Sequence, residues 1–152
     1  MTAPGVTPCL WLDGNVAEAV AFWTGLVPGS RITDERRLGG EVLTIAFELG
    51  DRPFLALNGM GTQHAFTEAM SLILACETQG EIDRVWDRIL ADGGAVIQCG
   101  WIKDRFGLTW QVMPRELPDL IAGDGERAAR VIAALRPMMK VDLAALRAAA
   151  DG

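Results

Sequence analysis

A repeat constrains this chain more than any other feature. Asn15 and Thr78, Glu18 and Glu81, and Trp23 and Trp86 each stand 63 positions apart. In both copies a helix-capping residue is followed three positions later by a carboxylate, the pattern of a capping box, and then by a large aromatic. A period this long that occurs only twice does not make a solenoid. It makes two copies of one supersecondary unit, a pseudo-twofold duplication.

The first copy opens with an apolar stretch at 6–12, read as a strand, which Asp13-Gly14 turns into a helix. Val16, Val20, Trp23 and Val27 recur at helical spacing, with Ala19, Phe22 and Leu26 beside them, until Pro28-Gly29 stops the run. An exposed strand at 30–36, a hairpin turn at Leu38-Gly39-Gly40 and an alternating strand at 41–49 follow. A short strand at 53–58 completes the module, and 59–67 read as an irregular connection.

The pattern then restarts. A strand at 71–76 leads to a helix capped by Thr78, with Ile82, Val85, Trp86, Ile89 and Leu90 as its apolar face. Gly93-Gly94 ends that helix, and strands follow at 95–101 and 108–113 with a turn at 103–107. Beyond Pro114 the chain is rich in alanine, and Asp124 and Asp142 are the expected caps of two further helices covering an edge or a partner subunit. The expected fold is α+β: two β-α-β-β-β modules, at about 6–58 and 71–114, with a helical extension at about 115–150 in one 152-residue domain. A chain of this length buries roughly 68–70% of its unfolded surface without staples.

Charge and cysteine usage narrow the partners. The formal net charge is −6 with no basic run, so neither nucleic acid nor an anionic membrane is the expected partner. No apolar run reaches the roughly 18 residues of a membrane span. Residues 1–5 have neither the basic nor the apolar region of a secretory leader, and Cys9, Cys76 and Cys99 form no CxxC pair. Reduced thiols and a cytoplasmic location are expected.

The segments TPCLWLDG, PFLALNG, CETQGEIDRVWDRI, CGWIKDRFGLTWQVMP and KVDLAALRAA resemble the PhnB-like branch of the vicinal-oxygen-chelate superfamily. That superfamily includes glyoxalases, bleomycin resistance proteins and dioxygenases, and the branch is described as 3-demethylubiquinone-9 3-methyltransferase. The resemblance implies that the two modules form a half-open sheet cup and that a homodimer completes the site. In metal-dependent relatives, side chains from the first and last strands of each module bind a divalent cation that acts as a Lewis acid. The matching positions here are Thr7 or Pro8, Ser71, Ala56 or Asn58, and Gln111. Among them only Gln111 has the character of a ligand, while the one histidine, His64, lies in the connection between modules. No cofactor is therefore expected. A divalent-metal glyoxalase- or dioxygenase-like enzyme, with His64 or Glu68 entering the cup, is the alternative, and a structural or regulatory dimer is a further one. Methyl transfer has no support in the residues: no GxGxxG opens a helix, and the first strand ends in Asp13-Gly14-Asn15.

The candidate ligand-binding residues are Trp11, Asn58, Trp101, Gln111 and Cys9, with no catalytic residue assigned. By strand parity Gln111 shares a face with Thr109 and Met113, where it orients a ligand or meets a neighbouring strand. Thr7, Cys9 and Trp11 share a face of the first strand, and Trp11 and Trp101 are platforms for a flat molecule or packing groups. Neither Cys9 nor Cys99 has a neighbour in the sequence that activates a thiol. Asn58 lines the cup or caps the turn at Gly59. Lys103-Asp104-Arg105 reads as a solvated hairpin tip.

Overall fold

The repeat becomes two four-stranded sheets with the same strand order. The computed structural model describes residues 5–59, 61, 64–123 and 125–152, and the chain divides into two compact units, Met1–Ala65 and Phe66–Gly152. No described helix is long and apolar enough to cross a membrane.

The first unit runs β1 (Cys9–Leu12), α1 (Val16–Leu26), β2 (Arg31–Leu38), β3 (Glu41–Leu49) and β4 (Arg52–Asn58). Its strand order is β1-β4-β3-β2, with β1 parallel to β4 and the other pairs antiparallel. The alternation read along β3 is real: Ile45, Phe47 and Leu49 are buried together with Leu10, Leu12, Phe54 and Ala56. The apolar stripe of α1 covers this face. Trp23 is fully buried and stacks on Phe47 at 5.9 Å between ring centroids, and Phe47 in turn stacks on Phe54 at 5.5 Å. At the far edge β2 is exposed along its whole length and laced by Arg31–Glu48, Arg36–Asp34 and Arg37–Glu35 ion pairs. Such charge on an open strand edge discourages pairing with another chain.

The second unit repeats the order as β5 (Ser71–Cys76), α2 (Gln79–Ala91), β6 (Ala95–Val96), β7 (Trp101–Lys103) and β8 (Thr109–Pro114), arranged β5-β8-β7-β6. Ile82, Val85, Trp86 and Ile89 of α2 are buried, as are Ile102, Trp110 and Val112 of the sheet. The extension consists of α3 (Leu117–Leu120), α4 (Gly125–Leu135) and α5 (Leu143–Asp151). Asp142 caps α5, accepting from the Ala145 N–H at 3.0 Å, whereas Asp124 lies outside the described residues.

Four expectations change. Asn15 occupies the N-cap of α1, but its side chain makes no capping hydrogen bond, whereas Thr78 accepts from the Glu81 N–H at 3.2 Å. Leu90, expected on the apolar face of α2, is exposed. The one-turn helix α3 had no periodic signal. Finally, the strand expected at 95–101 is broken by a turn. Cys99 and Gly100 both have positive φ (59° and 75°), and the Trp101 N–H closes the turn on the Gln98 carbonyl. The freed amides of Cys99 and Gly100 donate to the carbonyls of Met138 and Met139, so the extension is hydrogen-bonded to the turn that interrupts the strand.

Candidate functional site

In each unit one sheet face is covered by the module's own helix and the other is left for something else. On the first sheet the uncovered face carries Cys9 and Trp11 of β1, which pair with Leu55 and Leu57 of β4, which in turn pair with Ala46 and Thr44 of β3. Trp11 remains 43% exposed. The connection after β4 is drawn back by Asp13, whose Oδ1 accepts from the Gly61 N–H at 2.6 Å. His64 then sits against the Trp11 indole, with ring centroids 5.1 Å apart and planes inclined at 45°. A histidine that read as a loop residue is thus part of an aromatic pair.

Asn58 is not on that face. It pairs with Leu12, on the helix side, and its amide is committed to the scaffold. Oδ1 accepts from the Gly14 N–H and Nδ2 donates to the Val42 carbonyl, both at 3.0 Å. These bonds fasten the turn before α1 to the start of β3. A cavity of about 270 Å³ lies here, lined by Gly14, Val16, Arg37, Glu41 and Asn58 among others. In that lining the Arg37 guanidinium donates to Glu35 and to the Gly40 carbonyl.

The uncovered face of the second sheet is richer. Ile73, Gln111 and Trp101 lie side by side on β5, β8 and β7, since each is the cross-strand partner of the next. Ile73 is 64% exposed and the other two are half-buried. Gln111 Nε2 donates to Ser71 Oγ at 2.7 Å. The adjacent row is Ser71, Thr109 and Lys103. Thr109 is fully buried, and its hydroxyl is the one buried side-chain polar atom without a hydrogen-bond partner among the described residues. Lys103 Nζ meets Glu68 Oε1 at 2.8 Å, and this hydrogen bond, with the ammonium charge, holds the Glu68 carboxyl below its ordinary range.

Sequence reasoning missed Asp104. It is only 3% exposed: Oδ1 accepts from the N–H groups of Phe106 (2.9 Å) and Leu108 (3.0 Å), and Oδ2 accepts from Trp110 Nε1 (2.9 Å). The signal was an aspartate two residues before an amide it can cap, followed by a tryptophan six positions on. This carboxylate aligns β8, and with it Thr109 and Gln111. The structure therefore brings together Cys9 with Trp11 in one unit and Trp101 with Gln111 in the other, and leaves Asn58 in a scaffolding role.

The family model described as 3-demethylubiquinone-9 3-methyltransferase matches residues 4–113. No curated protein is similar enough to match. Among solved structures, a PhnB protein from Bacillus cereus described by the same activity is 29% identical, with a TM-score of 0.68, covering 73% of this chain and 99% of that one. Protein PA1353 from Pseudomonas aeruginosa is 18% identical with a TM-score of 0.59, covering 71% and 95%. The fosfomycin resistance protein FosX from Listeria monocytogenes, solved with Mn(II) and sulfate, is 12% identical with a TM-score of 0.54, covering 84% and 96%. At these identities the last two establish the glyoxalase-like fold and nothing further.

A cation of the kind FosX holds needs several His, carboxylate or thiolate donors converging on one point. Among the described residues no three His, Cys, Asp or Glu side chains do so. Gln111 is bonded to Ser71, His64 packs on Trp11, and Glu68 is bonded to Lys103. The donor set among the described residues does not fit a divalent ion.

Proposed function

The chain belongs to the 3-demethylubiquinone-9 3-methyltransferase family, and from that premise we propose that it binds a small, partly aromatic molecule on the uncovered face of its second sheet. Supporting this is one observation: an exposed isoleucine and a half-buried tryptophan flank a glutamine, on a face that the module's own helix leaves bare. Apolar area with a few placed polar groups is the composition of a ligand site. The proposal is for binding, with no bond made or broken. The methyl transfer in the family's description is not carried over, because the turn from β1 into α1 holds a single glycine whose N–H is taken by Asn58. A homodimer belongs to the same reading. Sedimentation at micromolar concentration supports that part with a dimer and removes it with a monomer.

The test is a screen of flat aromatic compounds against the full chain, read by amide and indole NMR shifts, with Ile73→Glu as the control. Ile73 is exposed, so the substitution leaves the fold within about 0.5 kcal/mol of the parent while placing a charge on the bed. Hits that move Trp101 and Gln111 and are weakened at least about tenfold (1.4 kcal/mol) by Ile73→Glu support the reading. Hits indifferent to that change, or no hits, sink it.

A further inference from the structure

We infer that the ligand of the second sheet is a neutral planar carboxamide or lactam, read by Gln111, Ser71 and the indole N–H of Trp101; this rests on the binding reading above. The hydrogen-bonding groups left unused on the face select such a ligand. Gln111 spends one amide hydrogen on Ser71 Oγ, and that bond is the only one either side chain makes among the described residues. Gln111 Oε1 is then an idle acceptor, and the Ser71 hydroxyl proton and the second amide hydrogen are idle donors. If the amide were turned over, Ser71 would donate to Oε1. The pair would still offer spare N–H groups beside spare lone pairs, so a donor next to an acceptor is presented in either orientation.

Trp101, directly across from Gln111, adds a third idle donor: its indole N–H has no partner among the described residues. Gln111 Oε1 and Trp101 Nε1, the two of these atoms with no partner, are not sealed off, because Thr109 Oγ1 is the one buried side-chain polar atom without a partner among the described residues. Ile73 and the Trp101 ring supply the flat apolar surface on either side.

Three ligand classes can be separated by what this arrangement does to each. A hydrocarbon ring covers the polar groups and leaves them unpaired, which costs binding. A carboxylate loses water without gaining a counter-charge, since the nearest cation on the face, Lys103, is already paired with Glu68. A carboxamide places an N–H and a C=O side by side and is neutral, so it satisfies the acceptor and the donors together. A site built to hydrogen-bond a group also rejects the analogue that lacks it more strongly than apolar contact alone permits.

The experiment titrates the full chain with benzamide, acetophenone and benzoate, following the Trp101 indole and Gln111 side-chain amide resonances. Benzamide is expected to bind about tenfold more tightly than either of the others. Gln111→Leu is expected to bring benzamide down to the level of acetophenone and to leave acetophenone unchanged. Ser71→Ala, a milder change that leaves the strand's backbone pairing intact, is expected to lower benzamide affinity severalfold and serves if Gln111→Leu fails to fold. Equal binding of benzamide and acetophenone means that the face takes aromatic rings without reading the amide, which overturns this inference and leaves the binding reading standing. Preference for benzoate overturns it in favour of an anion drawn by Lys103. If no probe moves these resonances, both readings fall.

Discussion

The two modules share a plan and differ in how tightly the plan is enforced. In the first, every described glycine of the module, from Gly14 to Gly50, has open space where a side chain would begin. In the second, a Cβ on Gly94 would lie 2.6–2.7 Å from an Ile89 methyl and the carbonyls of Ile89 and Lys103, and one on Gly100 would meet Val141 at 2.7 Å. Only the second module carries the helical extension, and its amides at Cys99 and Gly100 are bonded to it. The turns differ in the same sense. Between β3 and β4, Asp51 is exposed and pairs with the similarly exposed Arg52. Between β7 and β8, Asp104 is buried with three donors converging on it. A duplicated scaffold needs its hydrophobic knobs in both copies, but the fixed geometry behind the last strand of the module is built in one.

The largest expected effect breaks this contrast at the turns. Asp104→Ala leaves the amides of Phe106 and Leu108 and the indole N–H of Trp110 without their acceptor, and should cost about 3–5 kcal/mol in chemical denaturation. Asp51→Ala should change stability by about 0.5 kcal/mol or less, as exposed ion pairs do. Equal effects would mean that the burial of Asp104 has no energetic consequence.

The glycines come next. Two of the three atoms crowding a Gly94 side chain are backbone oxygens, which cannot step aside, so Gly94→Ala should destabilise by about 2–3 kcal/mol. Gly25, exposed in α1 with nothing within 4 Å, should respond in the opposite direction. Gly25→Ala should gain about 0.5–1 kcal/mol from helix propensity alone. Thermal unfolding of the two variants checks both signs.

The cysteines sharpen the comparison through pH. Cys76, at the end of β5, has its thiol pushed up to about 11 by burial first and by the nearby Glu81 charge second. Folding therefore holds this group protonated where the unfolded chain would release its proton. The unfolded state binds fewer protons above pH 9, so this contribution to stability falls as pH rises from about 9 to about 11. Cys9, the cysteine at the start of β1, is exposed. At pH 8 a thiol reagent should label Cys9 in the native protein and reach Cys76 only on unfolding; rapid labelling of both would contradict the burial of Cys76.

Much of this was legible in the residues, for identifiable reasons. Trp23 and Trp86 announced their burial because they sit on helix stripes that the sequence repeats, and strand parity grouped Gln111 with Thr109 and Met113, whereas Trp101 comes to stand across from Gln111 only through the β7–β8 register. Periodicity reports only which side a residue faces. It said nothing of Asp104, whose burial is decided by donors that converge only when the hairpin closes. Nor did it find the break at Cys99-Gly100, which depends on carbonyls arriving from Met138 and Met139, about forty residues later. His64 is an exposed residue of the connection, as read; its contact with Trp11 was not legible, because it joins segments that share no pattern.

The smallest effect concerns the caps on which the repeat was first recognised. Thr78 accepts from the Glu81 N–H, and Glu81 reaches back to the Glu77 N–H at 2.7 Å, so side chains bond one amide in the first turn and one just before the cap. Asn15 holds the same position in α1 without such a bond. Thr78→Ala should cost about 1 kcal/mol, and Asn15→Ala no more than about 0.3 kcal/mol. A double variant should show the sum, since the caps belong to separate helices with no shared partner. An equal cost at both sites would mean that Asn15 caps in solution and that the two modules are more alike than their hydrogen bonds make them. The expected inequality instead adds the caps to the places where two copies that share a strand order have diverged in their side-chain bonds.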